Sequence, residues 1–67
     1  MRIVLNGETR ELADGATVAD AVDASGAQSH SGIAVAVDGE VVPQGGWSDH
    51  PLADGQQVEV LQAVQGG

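Results

Sequence analysis

Short apolar runs separated by glycine-containing turns open the chain and predict strands. Residues 2–5 are rich in β-branched and aliphatic side chains, and they end at Asn6-Gly7. This dipeptide tolerates positive φ at both central positions of a type I′ turn. The pattern therefore predicts a hairpin in which residues 8–12 form the returning strand.

A second hairpin and a final strand follow in the second half of the chain. The continuous apolar run over residues 33–37 has the length of a strand, and Asp38-Gly39 turns it back into residues 40–42. Residues 57–64 alternate between two faces. This alternation predicts a last strand with one side toward the core.

A single short helix is predicted between the two hairpins. Thr17 occupies the N-cap position and Asp20 lies three residues later, as in a weak capping box. The helix is therefore predicted over residues 18–24. Gly26 is expected at the C′ position, where a left-handed conformation ends the helix.

Two segments without periodicity, 28–32 and 44–52, are predicted to be loops. Trp47, the only aromatic residue, lies in the second segment and is predicted to cap one end of the core rather than to anchor a partner. His30 and His50 also fall in these segments, without further ligands at metal-binding spacing. We therefore interpret both histidines as solvent-exposed loop residues.

The order of the elements predicts the fold. With one helix between two hairpins, the economical packing is a mixed sheet curled around the helix, with the last strand beside the first. We predict an α+β, β-grasp (ubiquitin-like) fold with about five strands on one short helix. Residues 1–64 would form the domain and residues 65–67 a flexible Gly-Gly tail. The predicted core residues are Ile3, Leu5, Val18, Val22, Val35, Val37, Val42, Leu52, Val58 and Val60.

Length and composition restrict the possible functions. A chain of 67 residues forms one domain, and without cysteine it offers no disulfide, thiolate nucleophile or cysteine metal site. Ten acidic and two basic residues give a net charge of −8, which disfavours nucleic acid and anionic membranes and favours a basic protein surface as partner. Taken alone, this charge is first explained by solubility, which acidic surfaces promote. No apolar run is long enough for a membrane span or a signal peptide, so a soluble cytoplasmic protein is predicted.

The last residues carry the strongest candidate for chemistry. Two glycines without Cβ atoms, Gly66 and Gly67, can lie extended in a narrow channel and present the terminal carboxylate to a bound nucleotide. We therefore predict the Gly67 carboxylate as the reacting group. An activated acyl group there would find no lysine amine on its own chain, because the chain has no lysine. A frayed terminus without a function is the alternative at this point.

Several short motifs, in this order, resemble one family along almost the whole chain. The motifs are MRIVLNG at residues 1–7, ADGATV at 13–18, VAVDGEVVP at 35–43, Trp47, PLADG at 51–55 and the segment 58–67 that ends in Gly-Gly. Together they resemble the ThiS family, the bacterial ubiquitin-like sulfur carriers of thiamine biosynthesis.

The resemblance implies a carrier and protein co-substrate rather than an enzyme. A partner adenylating (E1-like) enzyme would use ATP and magnesium to convert the Gly67 carboxylate into an acyl-adenylate. A persulfide sulfur donor would then replace AMP to leave a thiocarboxylate, which would deliver its sulfur to thiazole synthase. The chain itself would bind no cofactor and no metal.

Outward-facing residues near the tail are candidates for contact with the activating enzyme. If the even-numbered valines of the last strand face the helix, Leu61 lies on the outer face, and Val4 on the neighbouring strand would extend the patch. A single surface leucine needs no functional explanation, so a bland interpretation of Leu61 stands beside this one. The predicted partner contacts are Val4, Leu61, Val64, Gln65 and Gly66.

Two other functions fit the same terminal carboxylate. A sulfur carrier for molybdopterin synthesis, tRNA thiolation or a secondary metabolite would differ only in its acceptor. A ubiquitin-like protein modifier would join Gly67 to a target lysine, and conjugates of higher mass would distinguish it. An independent enzyme is disfavoured, since the sequence offers no paired acid and base and no phosphate-cradling loop.

Overall fold

The computed structural model describes residues 1–27 and 32–62, and within them it shows a five-stranded mixed sheet packed on one α-helix. The elements are β1 (Arg2–Leu5), β2 (Glu8–Glu11), α1 (Val18–Ala24), β3 (Ile33–Val37), β4 (Glu40–Val42), a 3₁₀ helix (Gln44–Asp49) and β5 (Gln57–Gln62). The strand order is β2-β1-β5-β3-β4, with β5 parallel to β1 and antiparallel to β3. The predicted α+β, β-grasp arrangement, with the last strand beside the first, is confirmed.

Most predicted boundaries agree with the structure. The helix, β1, β3 and β4 begin and end where predicted, and β2 ends at Glu11, one residue early. The prediction of an irregular segment over 44–52 is wrong in its first part, since residues Gln44–Asp49 form a 3₁₀ helix. Predictions for residues 28–31 and 63–67, including the end of the last strand and the flexible tail, lie outside the described residues.

Helix α1 begins and ends at residues suited to those places. The Asp20 carboxylate accepts hydrogen bonds from the Thr17 backbone N–H at 2.9 Å and from the Thr17 hydroxyl at 3.3 Å. An acidic side chain in the first turn also interacts favourably with the helix dipole. At the other end, Gly26 has a φ of 85°, which a glycine adopts without steric cost. The predicted Thr17–Asp20 pair and the terminating Gly26 are both confirmed.

The core lies between α1 and the inner face of the sheet. All ten residues predicted for it are buried, and the described residues include no buried polar or charged side chain. Ala16, Ala21 and Trp47 are buried in addition. Each fully buried valine or isoleucine contributes about 1.5–3 kcal/mol relative to an exposed one, before the entropy of ordering is subtracted. So small a core depends on each of its members.

Trp47 closes one end of the core, as predicted. Its side chain is 2% exposed, and the indole Nε1–H donates to the Val42 carbonyl at 2.9 Å. The 3₁₀ helix that carries it starts after Pro43, whose carbonyl accepts from the Gly46 N–H at 2.8 Å, and it packs against α1. The connection that looks irregular in sequence is therefore ordered by one large side chain.

The amino group of Met1 lies among acceptors on the first hairpin and the loop that follows it. It donates to the Leu12 carbonyl at 2.7 Å and to the Asp14 carboxylate at 3.1 Å, and the Glu11 carboxylate lies 3.7 Å away. The hydrogen bond to Asp14 raises the pKa of this amine above its ordinary value, and it outweighs the opposite effect of desolvation. The chain has no lysine, tyrosine or cysteine, so no other side chain titrates between about pH 8 and 11.

Replacing Trp47 should cost the domain most of its stability. We expect Trp47→Ala to lower the free energy of unfolding by about 3–5 kcal/mol, because it leaves a large cavity in a small core. Trp47→Phe should lower it by about 1–3 kcal/mol, since the indole hydrogen bond to the Val42 carbonyl is lost and the smaller ring fills less of the core. Urea denaturation followed by far-UV circular dichroism would measure both. Val41→Ala, at a residue 70% exposed, serves as the control with little change. A Trp47→Ala protein as stable as that control would contradict the assigned role.

Alkaline pH should destabilise the fold through the Met1 amine alone. The pKa of this amine is higher in the folded chain than in the unfolded one, so its contribution is complete below about pH 8 and is lost as the pH rises through the folded pKa. For a chain that begins with a free Met1 amine, we expect the free energy of unfolding to fall from pH 8 upward, and Asp14→Asn should reduce the slope. A flat profile for the unchanged chain, or an equal slope in Asp14→Asn, would contradict this assignment.

Candidate functional site

The strand that leads to the predicted reacting group lies at the centre of the sheet. Four predicted site residues lie outside the described residues: Val64, Gln65, Gly66 and Gly67. The last described residue of β5, Gln62, pairs with Ile33 of β3. The structure therefore describes the folded domain that precedes the terminal residues, up to Gln62.

Leu61 lies on the outer face of the sheet, as predicted. Val58 and Val60 point into the core, so alternation along β5 turns Leu61 away from α1. Its side chain is 63% exposed, and its partner on β3 is Ala34. A large apolar side chain is therefore exposed beside the end of the described strand.

Val4 lies on the same outer face, but the strand register separates it from Leu61. Val4 pairs with Gln57 of β5, which lies four positions before residue 61 and therefore about 13 Å away along the strand. Glu59 lies between the two on the same face. Val4 is half-buried and lines an open groove of about 390 Å³ together with Asn6, Gly7, Gln57, Val58 and Glu59. Glu59 therefore interrupts the apolar surface between Leu61 and Val4.

The apolar neighbours of Leu61 lie on the other side of β5. Val41 of β4 is 70% exposed and pairs with Ala36, which lies on the same face of β3 as Ala34. We call these four residues, Ala34, Ala36, Val41 and Leu61, the outer apolar face. Val41 is not among the partner contacts predicted from the sequence. Its alternation with the buried Val42 in a three-residue strand is the signal that could have identified it.

The exposed surface of the domain is mainly acidic, and Glu59 lies beside the outer apolar face, opposite Ala36. All ten acidic side chains of the chain are exposed. Of the two basic side chains, Arg2 pairs with Glu11 at 3.1 Å and Arg10 donates to the Ala24 carbonyl at the end of α1 at 3.3 Å. Both cations thus make contacts within the chain, and the exposed charge is mainly negative. Such a surface is complementary to one that combines apolar contacts with basic groups.

The histidines and acidic residues of the described chain do not gather into a metal-binding group. His50 is half-buried rather than fully exposed, and its carbonyl accepts from the Val18 N–H at 3.0 Å. His30 lies outside the described residues. Within 1–27 and 32–62, no group of three or more histidine, cysteine or acidic residues could hold a metal ion. No helix in this part of the chain is both long and apolar enough to cross a membrane.

Comparisons with known proteins agree along the full length of the chain. A family model described as the ThiS family matches residues 3–67. The chain is 31% identical to the sulfur carrier protein ThiS of Escherichia coli strain K12, with all of both chains aligned. Its structure matches the crystal structure of a thiamine biosynthesis protein (ThiS) from Geobacter metallireducens with a TM-score of 0.81 and 25% identity, covering all of both chains.

Proposed function

This chain belongs to the ThiS family, and on that premise we propose that it is a sulfur carrier of thiamine biosynthesis whose reacting group is the Gly67 carboxylate. The observation that carries the proposal is the extent of the family match, which includes the terminal Gly-Gly as well as the folded body. The full-length similarity to the E. coli sulfur carrier supports the same function.

The first proposed step activates the carboxylate. An oxygen of the Gly67 carboxylate attacks the α-phosphorus of ATP, held with magnesium by a partner adenylating enzyme, and pyrophosphate leaves. Magnesium would neutralise charge on the phosphates and orient them. The product is an acyl-adenylate, in which AMP is a far better leaving group than the oxygen of a free carboxylate. Gly66 and Gly67 suit this step because residues without Cβ atoms fit a narrow channel and leave the carbonyl open to attack.

The second proposed step exchanges oxygen for sulfur. The terminal sulfur of a persulfide donor attacks the acyl carbon and AMP leaves, which gives an acyl disulfide between carrier and donor. A second thiol then attacks the donor's sulfur, forms a disulfide with it and releases the carrier as a C-terminal thiocarboxylate. This sulfur is a better nucleophile than the oxygen it replaced, and thiazole synthase is the proposed acceptor.

The chain acts in this scheme as carrier and co-substrate, while its partners supply the catalytic groups. It would bind no cofactor of its own, because ATP and magnesium belong to the adenylating enzyme. We place the reaction in the cytoplasm, where ATP is available.

We further propose that the adenylating enzyme docks on the outer apolar face. Leu61 is the natural centre of this contact, because it is exposed and lies one residue before the end of the described chain. The net negative charge of the exposed surface, which includes Glu59 next to Leu61, would orient the carrier toward a basic surface on the enzyme and accelerate association at low salt. Val4 would contribute from the separate groove, and residues 64–66 would enter the enzyme with Gly67.

Changing the length of the tail should abolish activation without unfolding the domain. We expect deletion of Gly67, or addition of one residue after it, to eliminate ATP–pyrophosphate exchange by the adenylating enzyme, because the carboxylate is displaced from the α-phosphorus. Intact-mass analysis after incubation with enzyme, ATP, magnesium and a persulfide source would follow the exchange of one oxygen for sulfur, and fragmentation would locate it at Gly67.

Gly45→Ala is the matched control for these tail variants. Gly45 is an exposed glycine where an added Cβ would meet no atom within 4 Å, so this variant should be activated normally. Unchanged AMP transfer to the chain without Gly67 would contradict the assigned reacting group. No mass change in the unaltered chain, with enzyme that activates a known carrier, would contradict the proposed function.

Placing a charge at Leu61 should weaken docking while leaving the fold intact. We expect Leu61→Asp to raise the KM for the carrier about tenfold, which corresponds to about 1.4 kcal/mol of lost contact energy. Leu61→Met should retain most of the activity. Thr9→Asp adds the same charge to the outer face on edge strand β2 and should change KM less than about twofold. Equal KM values for Leu61→Asp and the unchanged chain would remove Leu61 from the docking surface.

A further inference from the structure

The two hairpin turns contact the central strand, β5, through the same kind of backbone hydrogen bond. Asn6 and Asp38 each precede a glycine and each have a φ of 50°. The Asn6 N–H donates to the Val58 carbonyl at 2.9 Å, and the Asp38 N–H donates to the Gln57 carbonyl at 2.8 Å. Both turns therefore contact β5 through their first central residue, one from each side of the strand.

The Asn6 side chain extends this contact by one further step along β5. Its Oδ1 accepts from the Val60 N–H at 2.8 Å, and its Nδ2 donates to the Val60 carbonyl at 3.2 Å. A carboxamide offers the same donor and acceptor as a peptide group. The Asn6 side chain thus takes the place of a strand residue where the backbone of β1 has already turned away into the hairpin.

The Asp38 side chain makes the corresponding contact at the opposite end of the strand. Its carboxylate accepts from the Gln57 N–H at 3.0 Å and from the Gln56 side-chain amide at 3.2 Å. Asp38 therefore secures the beginning of β5, whereas Asn6 secures the part nearest to the tail. The two side chains are similar in size, occupy the same position in their turns and both form hydrogen bonds with β5. They differ in which end of β5 they contact.

Val60 lies two residues before Gln62, where the described part of β5 ends. Without the Asn6 carboxamide, the N–H and carbonyl of Val60 lose their partners on the β1 side, and only β3 holds the end of the strand. An end held on one side opens more easily. The point on β5 from which the chain continues toward Gly67 would then be less well defined, and the end of β5 itself would have to be ordered in the partner.

We infer that Asn6 is a positioning residue for activation of Gly67, because its carboxamide fixes the end of β5 from which the reacting tail continues. The inference rests on the proposed function and names a residue that acts through Val60, without contact to ATP or to the reacting carboxylate. The residue that forms the first turn thus also directs the last residues of the chain toward the partner's active site. Loss of this direction should lower the rate from the docked complex more than the docking itself.

The test compares Asn6→Gly with Asp38→Gly. Glycine adopts the left-handed φ of both turns, so each variant keeps its hairpin and loses only the side-chain contacts. We expect similar downward shifts of the urea midpoint in both. With the adenylating enzyme, ATP and magnesium, Asn6→Gly should lower kcat about fivefold with KM changed less than twofold, whereas Asp38→Gly should leave both within about twofold. Amide hydrogen exchange should accelerate at Val60, and at Leu61 where it pairs with Ala34 of β3, only in Asn6→Gly.

A second variant covers the case in which Asn6→Gly does not fold. Asn6→Asp keeps the turn and the acceptor for the Val60 N–H but places a carboxylate oxygen against the Val60 carbonyl, so it should lower kcat in the same way. Equal kcat values for the Asn6 and Asp38 variants, with the unchanged chain adenylated normally, would overturn this inference alone. Failure of the unchanged chain to be adenylated would overturn the proposed function and this inference together.

Discussion

The pairing of β5 with β1 on one side and β3 on the other is the interaction on which the rest of the structure depends. Each hairpin alone is a two-stranded unit that is at best marginally stable in water. β5 joins them into one sheet and brings Val58 and Val60 to the middle of the inner face, where α1 packs. The contact between Asn6 and Val60 joins residues 54 positions apart, so the core is complete only when both ends of the chain are in place.

Because side chains alternate along β5, the residues that stabilise the core differ from those that could contact a partner. The inward side of β5 belongs to the core, and the outward side presents Leu61 to solvent beside the small residues of β3. The acidic residues are exposed, so a change of surface charge need not disturb the packing beneath it. The chemistry proposed for Gly67 requires no catalytic side chain from the body, which leaves the body to present a docking surface and hold the strand.

Much of the fold follows from local sequence patterns, while the failures involve contacts that local patterns do not encode. The helix bounds follow from Thr17 and Gly26. The strand residues of the core follow from period-two alternation, because β1, β3, β4 and β5 each bury one face, whereas β2 is exposed along its length. The 3₁₀ helix is not predicted, because Gln44-Gly45-Gly46 has no periodicity. It is ordered by its own Trp47, which packs against core residues that are distant in sequence. The separation of Val4 from Leu61 depends on the β1–β5 register, which pattern alone does not set. The sequence predicts the turn conformation of Asn6. It does not predict the contact of the Asn6 side chain with Val60, because a side chain that takes the place of a strand residue leaves no periodic pattern in the sequence.

The burial of Trp47 also determines what the intrinsic fluorescence of this protein can detect. The chain has no tyrosine or phenylalanine, so all of its near-ultraviolet fluorescence comes from one indole. That indole is enclosed by the core and hydrogen-bonded to the Val42 carbonyl, on the inner side of the sheet. Its emission therefore follows the integrity of the fold, while a partner that covers only the outer apolar face leaves the surroundings of the indole unchanged.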